Sequence, residues 1–429
     1  MAELCNPDWV SVPLEAWSLS QALREVAEVH LVTRAHNRPN LLTAGLREGE
    51  DFTAVGDSRV DRAAAWAEKT LRGGKSVGWS IATALGSLTY PGFERRLWHQ
   101  LGPRLRRGDF DLVHRLTPVS PAVPSPIASR CRRMGIPFVL GPLNGGVPWP
   151  PGFPELRRGE REWLAPLRPL HRLLPAYLST RRDATAIIAG SRTTLAEVPR
   201  AYRDRCVYVP ENGVDRGRFS QVVEGEARLP VKVAFVGRHV RLKGIDLLLE
   251  AAAPLLLAGK IRLDLIGDGP ETPRLRAMAA ARGLLDNAAF PGWIPHAELQ
   301  ARLVQSDLLG FPSLREFGGG VVLEAMSLGL VPVVLDYGGP AELVSPATGF
   351  AVPMGRREEI VARLRSILER ITDDPKGIRP MGRRARRRAL GLFAWEAKAR
   401  QILEVYCWAT GATRQRPDFG MPLPDPPGV

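Results

Sequence analysis

The chain has 429 residues, and 45% of them are apolar, which is enough for two or three domains with large buried cores. The formal net charge of +14 is compatible with nucleic-acid binding, but only seven of the 59 basic residues are lysine, and the arginines are spread along the whole chain. This spread indicates a genome-wide codon bias, so the sequence predicts no nucleic-acid partner. The arginine-rich run 383–388 is an exception, and contact with anionic lipid or an acidic substrate is an alternative there to a solvated helix face.

The cysteines and the hydropathy pattern indicate a reducing compartment. Cys5, Cys131, Cys206 and Cys407 are far apart and show no C-x-x-C spacing, so the sequence predicts neither a disulfide framework nor a zinc site. It contains no stretch of 18 uncharged apolar residues and does not open with a secretory signal pattern. We therefore expect a cytoplasmic protein, with peripheral membrane contact as an open alternative.

The first half of the chain alternates short apolar runs with amphipathic ones. The runs that read as buried strands are 29–33, 110–114, 137–140 and 186–189. The segments with helical spacing are 18–27, 94–106, 119–133 and 192–201. This alternation predicts a parallel sheet that is covered by helices on both faces.

A turn-rich linker, 210–215, leads into a second alternating block. Its predicted strands are 231–236, 261–266, 288–291, 307–311 and 331–335, and its predicted helices are 245–257, 272–282, 297–304 and 321–328. The predicted fold class is α/β, with two doubly wound, Rossmann-like domains facing a cleft and ligands at the carboxyl ends of the strands. We expect the domains to span 1–205 and 206–394, the helix 395–409 to pack back on the first domain, and the proline-rich tail 411–429 to be disordered.

The segment 315–326 combines two carboxylates with three consecutive glycines. Gly318, Gly319 and Gly320 lie where a helix should begin, and the free N–H groups of a helix N-terminus can bind a diphosphate. Glu316 and Glu324 flank the glycines, and ionised carboxylates accept hydrogen bonds from hydroxyls. A ligand with one anionic group between two groups that carry hydroxyls fits this pattern, and a nucleotide-sugar is such a ligand, because its diphosphate joins a ribose to a sugar.

Each of these signals also has a simpler interpretation. Glu316 can be a solvated loop charge, and Glu324 can be an acid favoured by the helix dipole. Arg238 and Lys243 follow the strand 231–236, so both can converge on the same phosphates and neutralise a leaving nucleoside diphosphate. Solvated loop cations are the alternative, although both residues lie next to glycines at a strand end.

The order of these motifs resembles that of retaining glycosyltransferases of the GT-B fold, family 4, over roughly residues 206–405. The motifs that carry the resemblance are Gly237-Arg238, Lys243-Gly244-Ile245-Asp246, Gly267-Asp268-Gly269-Pro270, Phe290-Pro291-Gly292-Trp293-Ile294-Pro295 and the pair of Glu316 and Glu324. The segment Pro210 to Asp215 also resembles the interdomain segment of that family.

The resemblance implies transfer of a sugar from a nucleotide-sugar donor, a UDP- or GDP-sugar, to an unknown acceptor, with retention and with neither a cofactor nor a metal. The residues that it implies for catalysis are His114, Arg238, Lys243 and Glu316. The residues that it implies for donor binding are Gly237, Gly267, Trp293, Ile294, Phe317, Gly318, Gly319, Gly320 and Glu324. Arg238 and Lys243 would hold the diphosphate, Glu316 the sugar hydroxyls and Glu324 the ribose.

Two of these residues have structural alternatives. Trp293 can be a core residue, because its indole buries much apolar surface, and His114 can be a satisfied structural histidine. A nucleotide-sugar 2-epimerase of the same fold and an inactive sugar-binding scaffold are the rival functions.

The N-terminal region departs from the family pattern. Family members usually begin with a short apolar strand and a glycine-rich loop, whereas here no glycine precedes Gly45. We expect either a first strand reduced to a stub or a translation start upstream of Met1, because a lost central strand leaves backbone groups unpaired. The acceptor-side candidates, proposed from position alone, are Asn6, Trp9 and Asn144.

Overall fold

The computed structural model describes residues 1–56, 79–150, 152–154, 156, 172 and 175–421. The chain divides into two units, each built on parallel strands. The first unit comprises Met1–Gly146, Arg157–Glu211 and Lys398–Val429, and the second comprises Val147–Leu156 and Asn212–Ala397. The predicted proline-rich tail lies outside the described residues from 422 onward.

The first unit contains two sets of parallel strands. The strands are β1 (Leu31–Arg34), β2 (Phe52–Val55), β3 (Val113–Arg115), β4 (Phe138–Leu143), β5 (Ala186–Ala189) and β6 (Cys206–Tyr208). β1 pairs with β2, and β3 to β6 pair in sequence order. Apart from the last helix of the chain, the described α-helices of this unit are α1 (Val12–Arg24), α2 (Arg38–Thr43), α3 (Trp79–Arg107), α4 (Ile127–Arg133), α5 (Pro175–Asp183) and α6 (Arg192–Glu197).

Residues 1–3 lie between β1 and β3 and join the two sets of strands. The Ala2 N–H donates to Val32 O at 2.8 Å, and on the other side the Leu116 N–H donates to Met1 O at 2.8 Å. This short segment therefore pairs with both neighbours as a central strand would.

Helix α3 buries one face against the strands. Phe93, Leu97, Leu101 and Leu105 recur every four residues, and each is at most 7% exposed. This spacing places them on one side of the helix, where they share a core cluster with Phe138 of β4. Burying one such side chain contributes roughly 1.5–3 kcal/mol, so this face is sufficient to hold α3 in place.

The second unit is a doubly wound sheet. Its strands are β7 (Val231–Val236), β8 (Ile261–Ile266), β9 (Ala288–Gly292), β10 (Leu308–Phe311), β11 (Val331–Leu335) and β12 (Phe350–Val352), in the parallel order β12-β11-β10-β7-β8-β9. Its helices are α7 (Ile245–Leu257), α8 (Thr272–Ala281), α9 (His296–Leu303), α10 (Gly320–Leu328), α11 (Gly339–Leu343), α12 (Arg357–Asp373) and α13 (Ile378–Arg388). The strand order reverses between β7 and β10, and ligands bind such sheets at the carboxyl ends beside this reversal.

The last helix, α14 (Trp395–Ala409), belongs to the first unit from Lys398 onward. The Lys398 side chain is fully buried, and its Nζ donates a hydrogen bond to the carbonyl oxygen of Pro210. Burial lowers the pKa of Lys398 to about 7. The helix is thereby tied to the segment that follows β6.

The arginine-rich run 383–388 lies in α13 and is partly structural. Arg384 Nε donates to Ala347 O at 2.7 Å, and Arg388 Nε donates to Leu343 O at 2.9 Å. These bonds hold the loop after α11, so they give no support to the membrane-contact alternative. None of the described helices is both long and apolar enough to cross a bilayer.

His114 on β3 is a link inside the first unit. Its Nε2 donates to Gly141 O at 2.6 Å, because a carbonyl can only accept, and its Nδ1 accepts from the Tyr406 hydroxyl at 2.6 Å. The side chain is buried, and burial lowers the pKa of His114 to about 3. Both ring nitrogens are occupied, so the structure favours the structural alternative over the predicted catalytic role.

We expect the buried neutral His114 to make the protein less stable in acid. Its folded-state pKa of about 3 lies below the ordinary value of 6.5, so between these pH values the unfolded chain binds more protons. The stability from this group is complete above pH ~6.5 and is lost as the pH falls toward 3, at up to ~1.4 kcal/mol per pH unit. Urea unfolding of the wild type and of His114→Gln across this range measures the difference. Parallel curves for the two proteins would contradict this assignment.

Candidate functional site

A lysine and a glutamate join two loops at the carboxyl ends of β7 and β10. Lys243 ends the short 3-10 helix Arg241–Lys243, and Glu316 lies five residues after β10. The Lys243 Nζ forms a hydrogen-bonded ion pair with the Glu316 carboxylate, and Ser313 Oγ lies 3.5 Å from the same oxygen, Oε2. Both side chains are 21% exposed. An ammonium group has three donors, so Lys243 can bind an anion without leaving Glu316.

The two loops are held together by their backbones. The Leu314 N–H donates to Leu242 O at 2.7 Å. Gly244 has a φ of +62°, and a Cβ at this position would collide with the carbonyl oxygen of Pro312. A side chain at Gly244 would therefore push the loops apart, which explains why glycine follows Lys243.

The Glu316 loop also rests on the beginning of α11. The Gly339 N–H donates to Glu316 O at 3.2 Å. A Cβ on Gly339 would collide with the carbonyl oxygen of Phe317, and a Cβ on Gly338 would collide with that of Glu316. The two glycines thus allow the loop that carries Glu316 to lie directly against another backbone.

Helix α10 begins at the predicted glycines. Gly319 is its N-cap with a φ of +88°, no described side chain caps the helix, and Gly320 is its first residue. A Cβ on Gly319 would lie 2.9 Å from Pro340 Cγ, and one on Gly320 would lie 3.4 Å from Asn212 Oδ1. The first N–H groups of a helix have no partner four residues earlier within it, and here the Val322 N–H donates to Gly319 O at 2.9 Å. The N–H groups of Gly320 and Val321 are therefore the ones that can face an anion, as at other helix ends that bind anions. The structure thus places Gly318, Gly319 and Gly320, the residues predicted to bind a diphosphate, at the beginning of α10.

Glu324 contacts a histidine that the sequence analysis did not select. The Nε2 of His296, the first residue of α9, lies 2.8 Å from Glu324 Oε1. The Glu324 side chain is 17% exposed, and that of His296 is 40% exposed. The only local signal was that His296 directly follows the motif that ends at Pro295.

The glycines at the ends of β7 and β8 touch each other. Gly267 has a φ of +128°, and a Cβ there would collide with the carbonyl oxygen of Gly237. Gly237 in turn faces the Phe311 ring, over which the Lys243 Nζ lies at 4.9 Å from the centroid. The structure therefore brings Gly237, Gly267, Lys243 and Glu316 to one edge of the sheet.

Arg238 lies at the same edge but apart from the ion pair. The residue is exposed, and no hydrogen bond or ion pair joins its guanidinium to another described residue. Its guanidinium is therefore available to an anion, as predicted, without a contact that fixes its position.

Trp293 and Ile294 lie in the loop between β9 and α9. Trp293 is 70% exposed, and Ile294 is half-buried. The alternative of Trp293 as a core residue is therefore wrong. The loop leads directly into His296, so both residues lie close along the chain to the Glu324 contact.

Comparison with known proteins assigns the chain to a family. Residues 220–387 match the family model described as glycosyl transferases group 1. The D-inositol 3-phosphate glycosyltransferase of Frankia alni is 31% identical over 327 residues, which cover 70% of this chain and 74% of that protein. This chain belongs to the glycosyl transferases group 1 family. It spans about half the length of other curated relatives that it matches.

Solved structures show that this group 1 chain has the predicted α/β GT-B fold. Sucrose-phosphate synthase from Thermosynechococcus elongatus superimposes with a TM-score of 0.61 at 18% identity, over 96% of each chain. Anabaena Alr3699/HepE in complex with UDP superimposes with a TM-score of 0.58 at 16% identity, over 94% of this chain and 97% of that one. The same protein in complex with UDP-glucose gives a TM-score of 0.52 at 15% identity, over 93% and 97%.

The acceptor-side candidates of this group 1 chain lie in the first unit. Asn6 is buried, and its Nδ2 donates to Asn37 Oδ1 at 3.2 Å. Asn144 is buried, and its Oδ1 accepts from the next backbone N–H at 2.8 Å. Trp9 is 43% exposed and stacks on His36, with 5.8 Å between ring centroids. Of the three, Trp9 offers the most surface to a ligand.

Arg315, the residue before Glu316, was also missed by sequence reasoning. Its Nε donates to Val147 O at 3.0 Å, and its guanidinium carbon lies 4.4 Å from the Trp149 ring centroid and 5.1 Å from that of Phe317. Arg315 therefore attaches the segment Val147–Leu156 of the second unit to the loop that carries Glu316. The only sequence feature that could have indicated this role is the position of Arg315 directly before Glu316, the first residue of the Glu316 and Glu324 pair.

We expect Gly339→Ala to disturb the site without unfolding the sheet. The added Cβ meets the carbonyl oxygen of Phe317, so the Glu316 loop must move, and we expect a loss of roughly 1–3 kcal/mol in the free energy of unfolding. Gly391→Ala is the matched control, because a Cβ there has no neighbour within 4 Å. Urea unfolding and nucleotide binding measure both variants. Wild-type stability in Gly339→Ala would show that the loop does not rest on α11.

Proposed function

We propose that this chain is a retaining glycosyltransferase of GT-B family 4 that transfers a sugar from a nucleotide-sugar to an acceptor. The observation that carries the proposal is the Lys243–Glu316 ion pair, because its residues lie on loops at the carboxyl ends of β7 and β10, beside the strand-order reversal. A cation for phosphate and a carboxylate for hydroxyls, side by side at a strand reversal, fit a sugar diphosphate.

The diphosphate would bind the first turn of α10 together with Lys243. The N–H groups after Gly319 supply directional donors, and the Lys243 ammonium supplies charge. Arg238, exposed at the end of β7, would add a second cation. These positive groups would neutralise the departing nucleoside diphosphate without a metal ion.

The two carboxylates would bind the hydroxyls on either side of the diphosphate. Glu316 would accept from the transferred sugar, and Glu324 would accept from the ribose. UDP and UDP-glucose complexes of HepE, which shares the fold, support a UDP-sugar as the first donor to test. The base would meet the loop of Trp293 and Ile294.

In the transfer step, the bond between the anomeric carbon and the diphosphate oxygen breaks while the acceptor oxygen forms its bond on the same face. The resemblance to family 4 supplies this stereochemistry. The acceptor proton passes to the departing phosphate oxygen, which gains negative charge as its bond to the sugar breaks. Lys243 contributes by holding the phosphate as its negative charge grows.

Transfer is favoured over the two rival functions. The matching family is described as glycosyl transferases, and the relative from Frankia alni is named as a glycosyltransferase. An epimerase would change the sugar without an acceptor, so product mass distinguishes it. A scaffold would bind the donor without releasing nucleoside diphosphate.

We expect Lys243→Ala to lower donor turnover at least 100-fold with the fold retained, because removal of a fixed charge at a developing anion costs about 10²–10³ in rate. Glu316→Gln should also abolish turnover, since the amide cannot replace the charged acceptor. Release of UDP from UDP-glucose measures turnover, and thermal unfolding measures the fold.

Lys260→Ala is the control for this experiment. The Lys260 side chain is 43% exposed, and its Nζ forms a long surface ion pair with Asp373 at 3.5 Å. Full activity of Lys243→Ala would refute the assignment. A folded wild type that releases no nucleoside diphosphate from UDP- or GDP-sugars would support the scaffold instead.

A further inference from the structure

The contact between His296 and Glu324 has a defined proton arrangement. Arg218 Nη1 lies 3.0 Å from His296 Nδ1. A guanidinium can only donate, so Nδ1 must accept. The proton of the neutral imidazole is therefore on Nε2, which donates it to Glu324 Oε1 at 2.8 Å.

Arg218 and His296 are both held in position by neighbouring residues. The Asp215 carboxylate accepts from the N–H groups of Gly217 and Arg218, at 2.8 and 3.1 Å, so the backbone before Arg218 forms a fixed turn. The buried Phe219 ring lies 5.5 Å from the His296 ring. The imidazole is thus oriented by an aromatic neighbour on one side and by Arg218 at its Nδ1.

The geometry leaves one oxygen of Glu324 for a ligand. His296 contacts Oε1, and no described residue hydrogen-bonds to Oε2. A carboxylate with one fixed oxygen loses its freedom to rotate before the ligand arrives, which lowers the entropic cost of binding. A carboxylate that accepts this hydrogen bond keeps its second oxygen as an acceptor for a ligand hydroxyl.

We propose that His296, with its proton position set by Arg218, orients the Glu324 carboxylate for the ribose hydroxyls of the donor. His296 is a positioning residue, because it acts through Glu324. This inference rests on the proposed function, since it takes Glu324 as the ribose contact. The competing explanation is a surface pair between α9 and α10 that only stabilises the fold.

Ribose discrimination distinguishes these two explanations. Calorimetric binding of UDP and of 2′,3′-dideoxy-UDP is measured for the wild type, His296→Leu and His296→Gln, with the guanine nucleotides as a parallel pair. We expect the wild type to prefer the ribonucleotide at least about tenfold, as for hydrogen bonds to a charged group. His296→Leu should reduce this preference to about twofold or less by weakening only the ribonucleotide. His296→Gln should keep most of it, because its amide can still donate to Glu324.

Glu298→Ala serves as the control, because Glu298 is exposed in the first turn of the same helix. It should keep the wild-type preference. Arg218→Leu is a second variant at an exposed position, and it should lower the preference partly, because Nδ1 then no longer has a fixed donor. Arg218→Leu tests the inference even where His296→Leu fails to fold.

Four results would overturn the inference, and the last of them refutes the proposed function as well. The first is an unchanged preference in folded His296→Leu and Arg218→Leu, and the second is an equal loss for both nucleotides. The third is a wild type that binds UDP or GDP without preferring the ribose form, which refutes the Glu324 contact alone. A wild type that binds neither nucleotide refutes the proposed function itself, and the inference with it.

Discussion

The candidate site depends on backbone segments that lie closer together than side chains allow. At several places a Cβ would collide with a carbonyl oxygen of the adjoining loop. Examples are Gly267 against Gly237, Gly244 against Pro312, Gly338 against Glu316 and Gly339 against Phe317. Since glycine alone permits such contacts, the loops after β7, β8, β10 and β11 are positioned by their main chains. The charged residues on these loops take their positions from that arrangement.

The Lys243–Glu316 ion pair is therefore a result of the loop arrangement rather than its cause. A pair that is one-fifth exposed contributes at most about 1 kcal/mol, which is too little to hold two loops. Its value is electrostatic. In the proposed donor complex, a lone Glu316 beside the diphosphate would repel it, and Lys243 would offset that charge while keeping donors for the phosphate. Because the ion pair is weak, Lys243 and Glu316 can each bind a ligand at little cost in free energy.

Sequence periodicity predicted the second unit well because its strands are apolar runs with clear ends. The strands 231–236, 261–266 and 331–335 agree with the structure at both ends. The sequence analysis missed β2, β6 and β12, because a run of three or four residues is too short to show a periodic hydrophobic pattern. The strands with which they pair lie elsewhere in the chain. Helix α12 was also missed, because its charged residues conceal the apolar face that it buries against α7.

The site was predictable where residue type and strand-end position were sufficient, as for Lys243 and Glu316. It was not predictable where the role depends on distant partners, and two histidines show this. His114 ends a predicted strand and is one of the residues that the family resemblance implies for catalysis, yet its ring is buried and bonded at both nitrogens, so its proton and its lone pair already have partners. His296 follows a proline and shows no periodicity, yet Arg218, 78 residues away, sets its tautomer, and Glu324 receives its proton. Both rings are bonded at both nitrogens, so the two histidines differ in their partners. His114 bonds to a backbone carbonyl and to a phenol, both inside the first unit. His296 bonds to the Glu324 carboxylate, whose second oxygen is the proposed contact for the ligand.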